Sequence, residues 1–244
     1  MRFDPASLPY LNGEKFSNNH VTSYDYLEPI PDRIKFLCSL INGKSVLHLG
    51  CLDHQNLIEE KYRRKQWLHS ELTENASRCL GVDVDQQAAE FVKNKLGFDN
   101  IILHDFTSDN NFSGSNEQWE YAILGELLEH VDNPVQFLES IRKNLRGNTK
   151  YLVITVPNAW TRTTMRYANR SEEIINSDHR YWFTPYTLAK VIIRAGFQLD
   201  SIHFANRVQL NGFELIKKKV LNFLGKEPSY PFTYASSIIG IAKF

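Results

Sequence analysis

Cysteine is scarce in this sequence: Cys38, Cys51 and Cys79 are the three in 244 residues. Their spacing is neither paired nor metal-like, which excludes a disulfide scaffold and a zinc-ribbon fold. A reducing compartment, the cytoplasm, is the expectation. An excess of one charge is missing too. Lys plus Arg number 28 and Asp plus Glu number 28, for a formal net charge of zero and a pI of about 7.1. A constitutive nucleic-acid binder usually carries a basic excess, so nucleic acid is not the expected partner, though a local basic patch is compatible with this balance. The longest apolar stretches have strand length, so no stable membrane insertion is expected. The opening MRFDPASLPYLNG has no basic stretch followed by an apolar one and does not read as a signal peptide. Internal repeats and low-complexity tracts are absent. A Walker lysine and a full G-x-G-x-x-G are also absent, so nucleotide phosphates have no evident cradle.

What is present is enough apolar material for a core: 42% of residues are hydrophobic and 23% charged. The length suits one domain with an elaborated lid. Residues 1–30, rich in Asn, Pro, Ser and Tyr, read as an irregular arm, and residues 31–244 as the domain. Strand signals occur at 45–50 (SVLHLG), 78–85 (RCLGVDVD), 100–106 (NIILHDF), 121–126 (YAILGE) and 151–157 (YLVITVP), with later candidates at 197–205 and 236–244. Helical spacing occurs at 32–41, 86–97, 133–147 and 184–196, and Trp67-Leu68-His69 falls on a helix expected to flank the first strand. The helix at 86–97 ends on Gly with Lys in its last turn, and the next two open near a Pro and end on a Gly. Strands alternating with helices predict an α/β fold, a doubly wound and mostly parallel sheet with helices on both faces. The last strand follows a long connection and is a candidate for antiparallel pairing.

Ligands of such a sheet bind beyond the carboxyl ends of its strands, where strand order reverses. The residues at those ends are Gly50 to His54, Asp83 and Asp85, Asp105-Phe106, Gly125 to His130, and Pro157-Asn158. Asp83, an acid at the end of the second strand, suits ribose hydroxyls. Asp105 suits an adenine amine, with Phe106 packing on the ring. The ligand implied is an adenosine without a phosphate tail.

In the order of these segments, from 32 to 244, the chain resembles the class I S-adenosylmethionine-dependent methyltransferases. SVLHLGCLDH stands where that family has its glycine-rich first loop, GVDVD at its second-strand acid, and ILHDF at its adenine segment. YAILGELLEHVDNP and YLVITVPN match its fourth and fifth strands. The resemblance implies a Rossmann-like sheet of seven strands and S-adenosylmethionine as cofactor. It carries cofactor contacts onto Gly50, Cys51, Asp53, His54, Asp83, Val84, Asp105, Phe106 and Gly125, with Gly50 and Gly125 letting the methionine part approach the backbone. The first loop departs from the usual V-L-D-x-G-C-G-x-G: the acid is His48, and Leu52 and His54 replace two glycines. His48, His69 and His104 read as structural histidines. The departures keep open a non-catalytic, methyltransferase-like binding subunit.

The run Glu126-x-x-Glu129-His130 is the second constellation. Read as a helix, it places its three side chains on one face. The spacing is similar to that of metal-using O-methyltransferases of the ubiquinone-biosynthesis and small-RNA 2′-O types. The small-RNA type adds a later His, to which His179 corresponds. The resemblance thus implies Glu126, His130 and His179 as catalytic candidates. It also implies Glu126, Glu129, His130 and His179 as a candidate metal set, for Mg or Mn among divalent ions. In relatives without metal, the same run lines the cofactor and faces the substrate. Residues 159–183 mix aromatics with arginines and read as an inserted substrate lid, with Asn158, Trp160, Arg162 and Tyr181 as substrate candidates. The run Lys217-Lys218-Lys219 reads as a solvated helix face. The expected activity is methyl transfer to oxygen of a small-molecule or glycan-like acceptor. A small-RNA 2′-O-methyltransferase is the alternative, and the sequence does not specify an oligomeric state.

Overall fold

The computed structural model describes residues 3–24, 28–108, 112–207 and 232–244, together with Gly212, Ile216, Val220 and Phe223. The lysine run at 217–219 lies outside the described residues. Seven strands form one sheet: β1 (Ser45–Leu49), β2 (Arg78–Asp83), β3 (Ile101–Leu103), β4 (Trp119–Gly125), β5 (Thr149–Pro157), β6 (Gln198–Arg207) and β7 (Ala235–Lys243). Their order is β3-β2-β1-β4-β5-β7-β6. All neighbours pair in parallel except β7, which runs antiparallel between β5 and β6. The chain builds outward from β1 through β2 to β3, then returns to place β4 on the other side of β1. The switch in strand order therefore lies between β1 and β4, and the crevice opens at their carboxyl ends.

Among the described residues, the continuous helices are α1 (Leu8–Leu11), α2 (Arg33–Ile41), α3 (Gln55–Arg63), α4 (Leu68–Asn75), α5 (Gln86–Leu96), α6 (Pro134–Leu145), α7 (Arg162–Ala168) and α8 (Pro185–Arg194). Several start and stop where their chemistry dictates. Asp32 accepts from the Lys35 N–H, Asp85 from Ala88 and Asn133 from Gln136. Thr184 and Thr187 form a reciprocal capping box ahead of Pro185. Such caps satisfy N–H groups the helix itself leaves unbonded. Gly97, at φ +78°, closes α5 in the left-handed conformation. Among the described residues, no helix is long and apolar enough to cross a membrane.

Both sheet faces are buried. Leu47, Leu49, Leu124 and Ile154 pack toward Leu138 and Ile141 of α6 and Leu188 of α8. Val46, Ile123 and Val153 face the other way, toward Leu37 and Ile41 of α2 and Leu68 and Leu72 of α4. This alternation puts His48 on the α4 face, between apolar neighbours. The segment before α2 is not loose: Phe3 and Leu11 join the main core, and Ile30 bridges to Ala205.

Candidate active site

Three adjoining cavities follow the carboxyl edge of the sheet. The first, about 600 Å³, is bordered by Asp83, Val84, Asp105, Phe106 and Val131. It shares Gly50, Leu52, Asp83, Leu127 and His130 with a second, of about 480 Å³, that reaches His48, Gly125, Glu129 and His179. The second shares Arg33, Lys61 and Gln66 with a third, of about 1060 Å³, between α2 and the α3–α4 side. Together they form one trough.

Its first part has the acceptors and surfaces an adenosine needs. Both Asp83 oxygens are oriented by backbone: Oδ2 accepts from the Leu52 N–H at 2.8 Å, and Oδ1 from Val84 and Asp85 at 2.8 and 3.1 Å. Burial raises its pKa above the usual carboxylate range despite these bonds. A carboxylate has about four lone-pair sites, so room remains for ribose hydroxyls. Asp105, on the wall of the first cavity, takes the Thr107 N–H and hydroxyl on Oδ1 at 2.8 and 2.7 Å, which lowers its pKa. Val84 is 68% exposed on the cavity wall, while Phe106 is buried against Phe112. An exposed Val beside polar acceptors is what a planar base would cover.

The loop after β1 holds its shape without the usual glycines. Gly50 and Cys51 both donate their N–H to the Val82 carbonyl, at 2.8 and 3.4 Å. The Trp67 indole donates to the Cys51 carbonyl at 3.0 Å. Asp53 accepts from the His54 N–H and pairs with Lys61. The His54 ring, largely exposed, stands 3.3 Å from Asp178. Gly50 has φ +67°, and a Cβ there would lie 2.6 Å from Leu127. A Cβ on Gly125 would lie 2.4 Å from Leu68. Both glycines thus serve close packing of this chain's own leucines at the cavity wall.

The Glu126-x-x-Glu129-His130 run does not form the helix face expected from its spacing. Glu126 has φ +56°, and only Leu128–His130 makes a short 3₁₀ turn. Thr155 on β5 holds the reversal: its carbonyl and hydroxyl accept the Glu126 N–H at 2.9 and 3.2 Å. The left-handed residue turns Glu126 toward Arg33, 3.6 Å away, and out of the metal set. Arg33 also donates to Thr155 Oγ1 at 2.7 Å. Glu129, His130 and His179 do converge, with one ligand atom from each within 4.8 Å of the others. Glu129 is fully buried, and neither carboxyl oxygen has a hydrogen-bond partner among the described residues. Burial, with Glu126 adding to it, pushes its pKa to about 8. Burial and His130 lower the His179 pKa.

The insertion at 159–183 delivers His179. Its return arm is bonded to the loop after β4. Arg180 N–H donates to the Glu129 carbonyl at 2.8 Å, its guanidinium donates to the His130 carbonyl and pairs with Asp132 at 2.7 Å, and Tyr181 OH donates to the Asp132 carbonyl at 2.7 Å. Asn158 is fully buried. Its amide donates to the Ala235 carbonyl at 2.9 Å and accepts from the Trp160 N–H at 3.0 Å, so its polar atoms serve the loop, and it lines none of the cavities described. Arg162 donates to Tyr234 OH at 3.0 Å. Trp160 borders a separate cavity of about 390 Å³ with Trp182, Glu172 and Glu173. Arg33, Lys61 and Thr155 are site residues that sequence reasoning missed. The Asp32 cap that starts α2 at Arg33 was the one available signal.

A family model described as a methyltransferase domain matches residues 22–202. No curated relative matches the chain. Among solved structures, it is similar to a SAM-dependent methyltransferase from Archaeoglobus fulgidus, at 15% identity over 87% of this chain and 91% of that one, with a TM-score of 0.52. A SAM-dependent methyltransferase from Thermotoga maritima, described as a possible histamine N-methyltransferase, is similar at 13% identity over 86% of both chains, with a TM-score of 0.53. The small RNA methyltransferase HEN1 is similar at 14% identity and a TM-score of 0.54, over 93% of this chain but 27% of that one. At such identities the structural likeness establishes the fold.

Proposed function

The chain belongs to the methyltransferase-domain family, and on that premise we propose that it moves the methyl group of S-adenosylmethionine to a hydroxyl oxygen of a small-molecule or glycan-like acceptor, aided by a divalent cation. The observation that carries this reading is the convergence of Glu129, His130 and His179 in the cavity next to the adenosine end. A fully buried carboxyl whose oxygens make no hydrogen bond among the described residues, with His179 Nε2 at 3.9 Å from one of them, is costly. A cation held by that carboxylate and two imidazoles removes the cost. Mixed oxygen and nitrogen donors suit Mg, Mn or a Zn-like ion and do not choose among them. The ion, when bound, lowers the pKa of an acceptor hydroxyl.

In this reading Asp83 holds the ribose, and Asp105, Val84 and Phe106 receive the adenine. Glu129, His130 and His179 would hold the ion. The acceptor oxygen would take the sulfonium methyl in line, with the C–S electron pair left on sulfur and the hydroxyl proton released to solvent through the open cavity. Alignment accounts for most of the protein's work, because the methyl group is already activated.

A second reading, 2′-O-methylation of an RNA end, draws on the third cavity. Arg33, Lys35, Lys61, Lys65 and Arg207 line it against Asp32 and Glu71. The likeness to HEN1 points the same way.

The test is Mn²⁺ titration followed by electron paramagnetic resonance, with and without S-adenosylhomocysteine. The wild type should bind one Mn²⁺, and Glu129→Gln should weaken it at least tenfold while S-adenosylhomocysteine affinity stays within twofold. Labelled methyl transfer to hydroxyl acceptors should rise with Mg²⁺ or Mn²⁺. A protein that binds S-adenosylhomocysteine but no metal, and methylates amines in preference, would overturn the oxygen reading. A folded protein that binds no S-adenosylhomocysteine would leave a non-catalytic binding subunit.

A further inference from the structure

The insertion at 159–183 builds a cavity of its own, of about 390 Å³, outside the trough. The Ala159 N–H donates to the Phe183 carbonyl at 2.9 Å, which brings the chain neighbours of those two residues, Trp160 and Trp182, into one lining. The Thr161 hydroxyl caps α7 by accepting from the Thr164 N–H at 3.0 Å, and the Thr164 hydroxyl donates to the Ala159 carbonyl at 2.7 Å. So anchored, α7 presents Met165 and Ala168 to the same space. Beyond α7 the chain reverses at Ser171, with φ +59°, and the Glu172 N–H donates to the Tyr167 carbonyl at 3.1 Å. The reversal carries Glu172, Glu173 and Ile174 back to the cavity.

Charge is sorted at this cavity. The insertion carries four arginines, Arg162, Arg166, Arg170 and Arg180, and three acids, Glu172, Glu173 and Asp178. Two of the acids line the cavity and none of the arginines does. Arg162 and Arg180 are engaged elsewhere, with Tyr234 and with Asp132. Among the described residues, no cation pairs with Glu172 or Glu173. The Trp182 indole N–H donates to Glu173 Oε1 at 3.0 Å, which fixes ring and carboxylate relative to each other. Met165 and Ile174 add aliphatic surface that is 47% and 42% exposed. Uncompensated negative charge beside indole rings and aliphatic surface complements a cation with an apolar body. A metal ion would want more oxygen ligands than two carboxylates and would gain nothing from the apolar lining. Trp182 also ties the cavity to the active site: its ring stands edge-on to that of His179, with centroids 6.2 Å apart.

We propose that this cavity takes an organic ammonium group, the charged end of the small acceptor, with Glu172 and Glu173 supplying the countercharge and Trp160 and Trp182 the cation–π contact. The occupant's role as acceptor rests on the methyl-transfer reading, whereas the cation site itself does not. An ammonium held there has no free lone pair, so the methyl group goes to the acceptor's hydroxyl and not to its nitrogen. A polyanionic acceptor meets the wrong sign of charge at this end.

The experiment uses choline and 3,3-dimethylbutan-1-ol, which share a shape and a hydroxyl and differ in charge. Nitrogen-15 NMR of the full chain follows the indole N–H groups of Trp67, Trp119, Trp160 and Trp182. Choline should move the Trp160 and Trp182 resonances, leave the other two in place, and bind about tenfold more tightly than the neutral alcohol. The double variant Glu172→Gln/Glu173→Gln should erase that preference. Its affinity for S-adenosylhomocysteine should stay within about twofold, because the cofactor cavities share no lining residue with this one. Met165→Lys, which places an ammonium of the chain's own in the cavity, should abolish choline binding and decides the matter should the double variant not fold. Equal affinity of the wild type for the two probes, shifts confined to Trp67 and Trp119, or a preference for choline that survives these substitutions overturns the proposal. In labelled methyl transfer, choline should raise the KM of the hydroxyl acceptor and leave kcat unchanged, and no competition would overturn the acceptor assignment. A protein that binds choline as expected and transfers no methyl group fails the methyl-transfer reading alone. One that transfers methyl groups and shows no preference for choline fails this proposal alone.

Discussion

His48 on β1 and His69 on α4 are buried with their Nδ1 atoms 3.3 Å apart, so protonating either ring would bury a charge, and this has a consequence for stability. Burial lowers His69 to about 4 in the fold, against about 6.5 in an unfolded chain. The unfolded state therefore binds more protons below neutrality, and stability rises with pH. The contribution is fully present above pH 6.5 and is lost as pH falls toward 4; by pH 5 His69 alone costs about 2 kcal/mol. Urea midpoints of the wild type should fall between pH 7 and 5, and those of His69→Phe should fall less. Equal slopes in the two proteins would show that His69 titrates normally. Gly50 makes a second residue-scale case. At φ +67°, with Leu127 2.6 Å from any added Cβ, Gly50→Ala should lose about 2 kcal/mol or more from strain and displaced packing. Denaturant melts would register that loss. A variant as stable as the wild type would mean that the loop readily takes another path.

At the scale of elements, the return arm of the insertion matters because it brings His179 to Glu129 and His130. Arg180 and Tyr181 bond to carbonyls and an acid of the loop after β4. An exposed ion pair contributes about 0–1 kcal/mol, so Arg180→Ala should leave the melting transition nearly unchanged. The same change should weaken Mn²⁺ binding by roughly tenfold, about 1.4 kcal/mol, because it loosens one ligand of three. A shift in melting temperature without a change in metal affinity would make the docking purely structural. The elements themselves were mostly legible in the sequence. Apolar runs such as YLVITV announced buried strands, and Pro134 and Pro185 with Gly97, Gly147 and Gly196 announced helix bounds. The start of α3 was not legible: QNLIEEKYR buries Ile58 alone, which is too little periodicity for a helix signal. The turn at Glu126 was not legible either. A left-handed Glu held by Thr155, 29 residues away, leaves no mark in local spacing, so the helix-face argument placed Glu126 among the metal candidates. The His48–His69 bond depends on which strand face carries residue 48 and on where α4 packs, and spacing encodes neither.

At the scale of the whole molecule, the trough is lined by residues from Pro31 to Ser236, so it exists only when the sheet is complete. A ligand that fills it binds the native state and not the unfolded chain. S-adenosylhomocysteine at a hundred times its Kd should therefore add about 2.7 kcal/mol, a rise of roughly 5–10 °C in Tm for a chain of this size. Overall charge then separates the two acceptor readings. The balance of 28 basic and 28 acidic residues gives no long-range field to gather a polyanion, whereas the third cavity offers local cations. An RNA that neutralises about five phosphates on that wall would lose roughly a hundredfold in affinity between 50 and 200 mM salt, because each contact releases counterions. A small or glycan-like acceptor makes no such array of contacts, and its KM should change by less than about twofold over that range. Steady-state methyl transfer at several salt concentrations measures this directly. A flat KM favours the small acceptor, while a steep loss with an RNA substrate would assign the cations of the third cavity to its phosphates.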